Sequence, residues 1–209
     1  MKWTGKNKMR SDILDDEEEP QPSYQIIGAG STAMRVVENK IFFYDDVTNE
    51  SILELNKVLI EMDIKLQNTR NILGDCFDPT IHLRVKTDGG DLHAVLSTVD
   101  IMNNLKSKVF TYIDGSVASA GSMITLTGDR RYMGKHAIFL IHQLSSGMYG
   151  KYTELEDSME NCANMMKFLK AFYKENTKIP MKKLDELLKR DLYLSTDECL
   201  LYGIIDEVF

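Results

Sequence analysis

The chain has 209 residues, 43% of them hydrophobic and 27% charged, with a net charge of −7. That length suits one well-filled core, and the acidic balance argues against nucleic acid as the main partner, because phosphate binding needs a basic face. No apolar run approaches the ~18 residues of a membrane span, and the three cysteines are widely spaced with no C-x-x-C pair, which argues against a disulfide framework or a zinc site. A reducing cytosol is the expected setting, with Cys76, Cys162 and Cys199 as small buried apolar side chains.

Residues 1–23 carry the run Asp15-Asp16-Glu17-Glu18-Glu19-Pro20. Such a run repels itself and offers nothing to bury, so a disordered acidic segment is expected there. It is either a plain tail or a segment that is cleaved or lines an entrance. Lys2, Lys6, Lys8 and Arg10 precede no apolar core, which is not the pattern of a secretory signal. Residues 24–209 are expected to form one domain.

From residue 40 the pattern alternates. Residues 40–44 (KIFFY) read as a short strand. Ile52, Leu55, Leu59, Met62 and Leu66 step by three and four, the apolar stripe of a helix. Residues 81–85 (IHLRV) read as a strand, and Leu92, Val95, Leu96, Val99 and Met102 as a second helical stripe. Residues 109–113 (VFTYI) and 137–141 (AIFLI) are two further strands. Thr153 and Glu156 have the spacing of a capping box for a long helix with the stripe Leu155, Met159, Cys162, Met166, Leu169 and Tyr173. Ser195 and Glu198 form a second such box for a short helix ended by Gly203, and residues 204–208 read as a last strand. Strands alternating with helices imply βαβ units and an α/β domain.

Four features carry chemistry. Ser119 follows a strand and a Gly115-Ser116 turn, and it opens an apolar segment with small neighbours Ala118, Ala120 and Gly121. A serine at such a strand-to-helix junction either presents a nucleophile beside a free Ala120 N–H or caps the helix. Gly89-Gly90 follows a strand and can expose backbone N–H groups, or it is a plain tight turn. His142 ends the run AIFLI, where a strand leaves the core and can present a base, while His136 reads as surface and His82 and His93 have no obvious partner. Asp191 sits between Arg190 and Leu192-Tyr193-Leu194, as a paired surface charge or as the group that fixes a histidine tautomer.

Together these segments resemble the ClpP family of self-compartmentalising serine peptidases, over roughly residues 24–209. Ser119 matches the family's nucleophile in a GxxAS-type segment. His142 in Ile-His-Gln matches its base in M-I-H-Q. Asp191 in Arg-Asp-Leu-Tyr-Leu-Ser matches the aspartate of R-D-x-x-L-S, and Tyr202-Gly203-Ile204-Ile205-Asp206 resembles Y-G-L-V-D. Gly90 and the Ala120 N–H match the oxyanion hole.

The resemblance implies a ClpP/crotonase-like α/β fold, with repeated βαβ units and a protruding strand-helix handle from residues 147–152 and the long helix. It implies a homo-oligomer of two stacked seven-membered rings, polypeptide substrates, no cofactor, and an ATP-driven ring unfoldase as partner. Arg190 matches an arginine that links ring assembly to triad geometry. Substrate is expected to dock as an added strand between Gly90-Asp91-Leu92 and Gln143-Leu144-Ser145. The chain departs from the family pattern at Thr87-Asp88-Gly89-Gly90, where the family has S-P-G-G, and at Leu144, where the family has proline. The stretch from serine to histidine is slightly short, and the N-terminal segment is unusually acidic.

Two rival readings share this fold. A crotonase-type acyl-CoA lyase or thioesterase would use the backbone oxyanion site without Ser, His and Asp together, and no basic cluster is placed for a CoA phosphate. A non-catalytic subunit of a mixed ring would not require all three groups.

Overall fold

The apolar periods of the chain translate into strands that each hand over to a helix. The computed structural model describes residues 34–209; the acidic segment 1–23 and residues 24–33 lie outside the described residues. In chain order the elements are β1 (Arg35–Val37), β2 (Lys40–Phe43), α1 (Asn49–Leu73), a 3₁₀ turn (Gly74–Cys76), β3 (Thr80–Thr87), α2 (Leu92–Asn104), β4 (Lys108–Ala118), α3 (Ala120–Leu126), β5 (Arg130–Met133), β6 (Ile138–Leu140), α4 (Tyr152–Asn176), α5 (Met181–Leu187), α6 (Thr196–Leu201) and β7 (Glu207–Val208).

The strands form one seven-stranded sheet in the order β1-β2-β3-β4-β5-β7, with β6 pairing separately to β4. Only β1–β2 is antiparallel; every other pair is parallel. The crossovers β2–α1–β3, β3–α2–β4 and β4–α3–β5 are the expected βαβ units, and the α/β architecture agrees with the fold class implied above. Strand β3 alternates in burial: Ile81, Leu83, Val85 and Thr87 face the core, while His82 and Arg84 are half-buried on the other face. The predicted stripe of α1 is wholly buried, from Ile52 to Leu66. In α2, Val95, Val99 and Met102 are buried, while Leu92 and Leu96 pack at the edge of the core.

Strand β4 changes partner along its length. Residues 110–113 pair with β5, whereas residues 116–118 pair with β6. Between them the register against β3 slips, from Val85↔Ile113 to Thr87↔Val117. The sheet is therefore forked, and the second prong leads directly to Ser119.

Several expectations are corrected. Helix α4 starts two residues earlier than the Thr153–Glu156 spacing suggests. Lys151 is its N-cap, with its N–H donating to Glu154 Oε2 at 2.9 Å and its carbonyl already accepting from Leu155 N–H. Thr153 thus lies inside the first turn. Met159 of the predicted stripe is 62% exposed, and no residue in the first half of α4 is buried, while Leu169 and Tyr173 are buried. Residues 147–152 form no ladder and lead into this exposed half. The last strand shrinks to Glu207–Val208, because Ile204 and Ile205 spend their N–H groups on the Cys199 carbonyl that closes α6. Of the cysteines only Cys199 is buried; Cys76 is exposed on the 3₁₀ turn and Cys162 is half-buried. Strands β1 and β5 and helix α5 were not expected from the sequence.

Candidate active site

Ser119 sits between the end of β4 and the start of α3, at φ 54° and ψ −126°. This is costly backbone for a residue with a Cβ, and it persists only where the surroundings over-determine it. Three contacts do so. Ser119 N–H donates to Leu140 O at 3.0 Å, and Ser119 O accepts from Ser122 N–H at 3.0 Å and from Ser122 Oγ at 2.6 Å. The Ser119 side chain makes no cap bond to α3. Its Oγ lies 2.7 Å from His142 Nε2 instead.

His142 follows β6, the prong that β4 itself holds. Its Nδ1 lies 3.1 Å from Asp191 Oδ1. A carboxylate only accepts, so Nδ1 carries the ring proton and Nε2 is left to accept from the Ser119 hydroxyl. The Asp191 strap is tied to the same prong at both ends. Gln143 N–H donates to Leu188 O at 2.7 Å, and Phe139 and Leu194 exchange both N–H···O bonds, at 3.1 and 2.7 Å. Backbone hydrogen bonds therefore fix all three side chains relative to one short strand. His142 is 28% and Asp191 80% exposed, so this relay stands at the rim of a cleft.

The glycine pair closes the other side. A Cβ on Gly89 would fall 2.5 Å from Ser119 Cβ and 2.8 Å from Ala118 O, and its φ is +97°. A Cβ on Gly90 would fall 2.2 Å from Val47 O. Val47 N–H donates to Gly89 O and Val47 O accepts from Asp91 N–H, so this parallel bridge leaves the Gly90 N–H turned away from Val47. Where the family pattern has a proline at position 88, the Thr87 hydroxyl holds the turn by accepting from Gly89 N–H at 3.1 Å. Gly121 is small for a separate reason: a Cβ there would meet Thr87 Cγ2 at 2.1 Å.

A cleft of about 790 Å³ opens over Ser119 and is also lined by Gly90, Ala120 and His142. Asp91, Leu92, Gln143, Leu144 and Ser145 border it as well. Two of these have their amides engaged already: Asp91 N–H binds Val47 O, and Gln143 N–H binds Leu188 O. The Asp91 carboxylate caps α2 by accepting from His93 and Ala94 N–H. Leu144 packs against the core, and its N–H points at Met166 Sδ. The inner wall is apolar, from Leu96, Met165, Phe168 and Leu169. Arg190 is exposed and makes no ion pair among the described residues. His82, which the sequence leaves without a partner, lies 2.8 Å from the Tyr112 hydroxyl on the far face of the sheet. Among the described residues no cluster of His, Cys, Asp and Glu could hold a metal ion, and no helix is long and apolar enough to cross a membrane.

The sequence assigns no site role to Val47, Ser122 or Tyr173, and marks Thr87 only as a departure from S-P-G-G. Val47 could have been found as a lone apolar residue in the polar run Tyr44-Asp45-Asp46-Val47-Thr48-Asn49. The others looked like ordinary turn or core residues.

The family model for Clp protease matches residues 34–209, the whole of the described chain. The chain belongs to the Clp protease family. It is also 34% identical over 140 residues to the ATP-dependent Clp protease proteolytic subunit of Streptococcus suis (strain 98HAH33), an alignment covering 64% of this chain and 71% of that protein. Membership of the Clp protease family makes peptide-bond hydrolysis the chemistry against which the cleft is to be read.

Proposed function

We propose that this chain is the proteolytic subunit of a Clp-type protease and cleaves polypeptides as a serine endopeptidase, with Ser119 as nucleophile, His142 as base and Asp191 as the group that orients His142. The observation that carries this reading is the continuous relay from Ser119 Oγ through His142 to Asp191, at 2.7 and 3.1 Å, in a cleft that Gly90 and Ala120 also line.

The reaction balances without a cofactor. Ser119 Oγ forms a bond to the substrate carbonyl carbon as its proton passes to His142 Nε2. The negative charge that develops on the carbonyl oxygen is met by the Gly90 and Ala120 N–H groups. Asp191 faces the imidazolium proton on Nδ1 and stabilises its charge. His142 then returns the proton to the leaving amine, and the C–N bond breaks. Water repeats the cycle on the acyl-serine.

The edge formed by Gly90 and Leu92 on one side and Leu144 and Ser145 on the other suits an extended peptide, with the apolar inner wall receiving one of its side chains. A face-to-face pair of heptameric rings, with Arg190 at an assembly contact and α4 as the joining element, accounts for the exposed apolar residues Tyr149, Tyr152 and Met159. An ATP-driven unfoldase would supply extended substrate.

The test is labelling of the purified full chain with a fluorophosphonate probe, alongside Ser119→Ala. Labelling of the wild type alone is the expected result. Full peptidase activity in Ser119→Ala would overturn the assignment of the nucleophile.

A further inference from the structure

We propose that Tyr173 and Ser122 are positioning residues that aim the Ala120 N–H at the oxyanion, by holding the opposite end of the same peptide plane. The inference rests on the serine-hydrolase reading above. A peptide unit is planar, so the Ser119 carbonyl and the Ala120 N–H are two ends of one rigid group. Whatever fixes the direction of the first fixes the direction of the second.

The Ser119 carbonyl is gripped by Ser122 twice, from N–H at 3.0 Å and from Oγ at 2.6 Å. Ser122 Oγ in turn lies 2.9 Å from the Tyr173 hydroxyl. Counting protons sets the direction of this chain. A serine hydroxyl has one proton, and a carbonyl oxygen can only accept. The Ser122 proton is therefore spent on Ser119 O, and Tyr173 is the donor to Ser122 Oγ. The sequence of bonds runs from Tyr173 O–H to Ser122 O–H to Ser119 C=O, and the peptide ends at Ala120 N–H. Each donor polarises the next, and a carbonyl carrying two donors makes its own peptide N–H a better donor.

The surroundings make the chain rigid. Ser122 is fully buried and Tyr173 is 2% exposed, so no solvent competes for these bonds. Burial also pushes the Tyr173 hydroxyl up to about 12, which keeps it a donor throughout the physiological range. Tyr173 belongs to the buried half of α4, flanked by Leu169 and Phe172. The strained dihedrals of Ser119 give the arrangement its purpose, because the turn that carries the nucleophile needs an external restraint to hold its shape.

Four full-length variants decide the matter: Tyr173→Phe, Ser122→Ala, their double, and Thr98→Val as comparator. Thr98 is buried and its hydroxyl donates to Asn56 at 2.7 Å, away from the cleft. The readouts are kcat and KM on a short fluorogenic peptide, the rate of fluorophosphonate labelling, and Tm. We expect kcat to fall ~30-fold in Ser122→Ala and ~5-fold in Tyr173→Phe with KM within about twofold, both smaller than the ~10²–10³ lost with an oxyanion donor itself. The double variant should match Ser122→Ala alone, because the two groups act in series. Thr98→Val should lower Tm while kcat stays within about twofold. Should Ser122→Ala fail to fold, Tyr173→Phe decides alone, since it deletes a single oxygen.

An active wild type whose variants keep kcat, or lose it only as Thr98→Val does, overturns the brace and leaves the hydrolase reading standing. A wild type that neither labels nor cleaves overturns both.

Discussion

Gly89→Ala is the most direct test of how the glycine loop and the nucleophile share space. The added Cβ would begin 2.5 Å from Ser119 Cβ and 2.8 Å from Ala118 O, where real contacts stay beyond 3.0 Å. Neither neighbour can yield freely. Ala118 is paired with Leu140 in the fork, and Ser119 N–H is bonded to Leu140 O. The left-handed backbone at φ +97° adds about 1–2 kcal/mol of strain, and overpacking adds about 1–3 kcal/mol. At ~2–4 °C per kcal/mol for a domain of this size, Tm should fall by on the order of 10 °C. To restore contact distance Ser119 must retreat by about half an ångström, and since ~1 Å of misplacement costs ~10²-fold, fluorophosphonate labelling should slow by at least ~10-fold. Gly134→Ala is the control, because its nearest neighbour would be 3.7 Å away. Labelling within twofold of wild type, with Tm within about 2 °C, would refute the claim that Gly89 and the nucleophile turn are rigidly apposed.

Asp191→Asn should slow peptide cleavage ~5–30-fold, well short of the ~10⁴ known for a buried triad aspartate, because at 80% exposure the 3.1 Å pair acts in nearly water-like surroundings and is worth only about 1–2 kcal/mol. Steady-state kinetics on a short peptide checks this, and a loss near ~10⁴ would mean that the carboxylate is shielded when the protein works. His82 has its pKa lowered, by burial first and then by Lys40 and Arg84. Its contribution to stability is therefore complete above the unfolded value of ~6.5 and is lost as pH falls through the lower folded value, because the unfolded chain takes up the proton first. His82→Gln should flatten the fall in Tm below about pH 6.5; parallel pH profiles for wild type and variant would contradict this.

The parts of the fold that buried a clean apolar period were legible. The α1 stripe and the strands at 81–85, 109–113 and 137–141 each announced themselves because one face had to be apolar. Strand β5, Arg-Arg-Tyr-Met, hides because its outward residues are charged and it is only four residues long. Helix α5 hides behind Pro180 with only Leu184 and Leu187 buried. The final strand was overread because Ile204 and Ile205 are apolar for packing under α6, not for pairing. At the site, Ser119 and His142 were visible as residue types at strand ends. Asp191 was one carboxylate among many, and only the resemblance singled it out. The Tyr173–Ser122 pair was invisible, since a tyrosine on a core stripe and a serine among small residues meet only through the crossing of α4 and α3. The loss of the loop proline looked like a weakness in the sequence; in the structure Thr87 supplies the restraint.

The fork in β4 has one more consequence. The prong holding Ser119, His142 and the Asp191 strap is three strand residues long and separate from the ladder that joins β4 to β5. A ladder this short opens at lower free energy than a longer one. Heating should therefore unzip the prong as a unit, scattering the three groups together, before the rest of the sheet melts. Amide hydrogen exchange would see this as two populations along a single strand: fast at residues 116–118 and slow at 110–113.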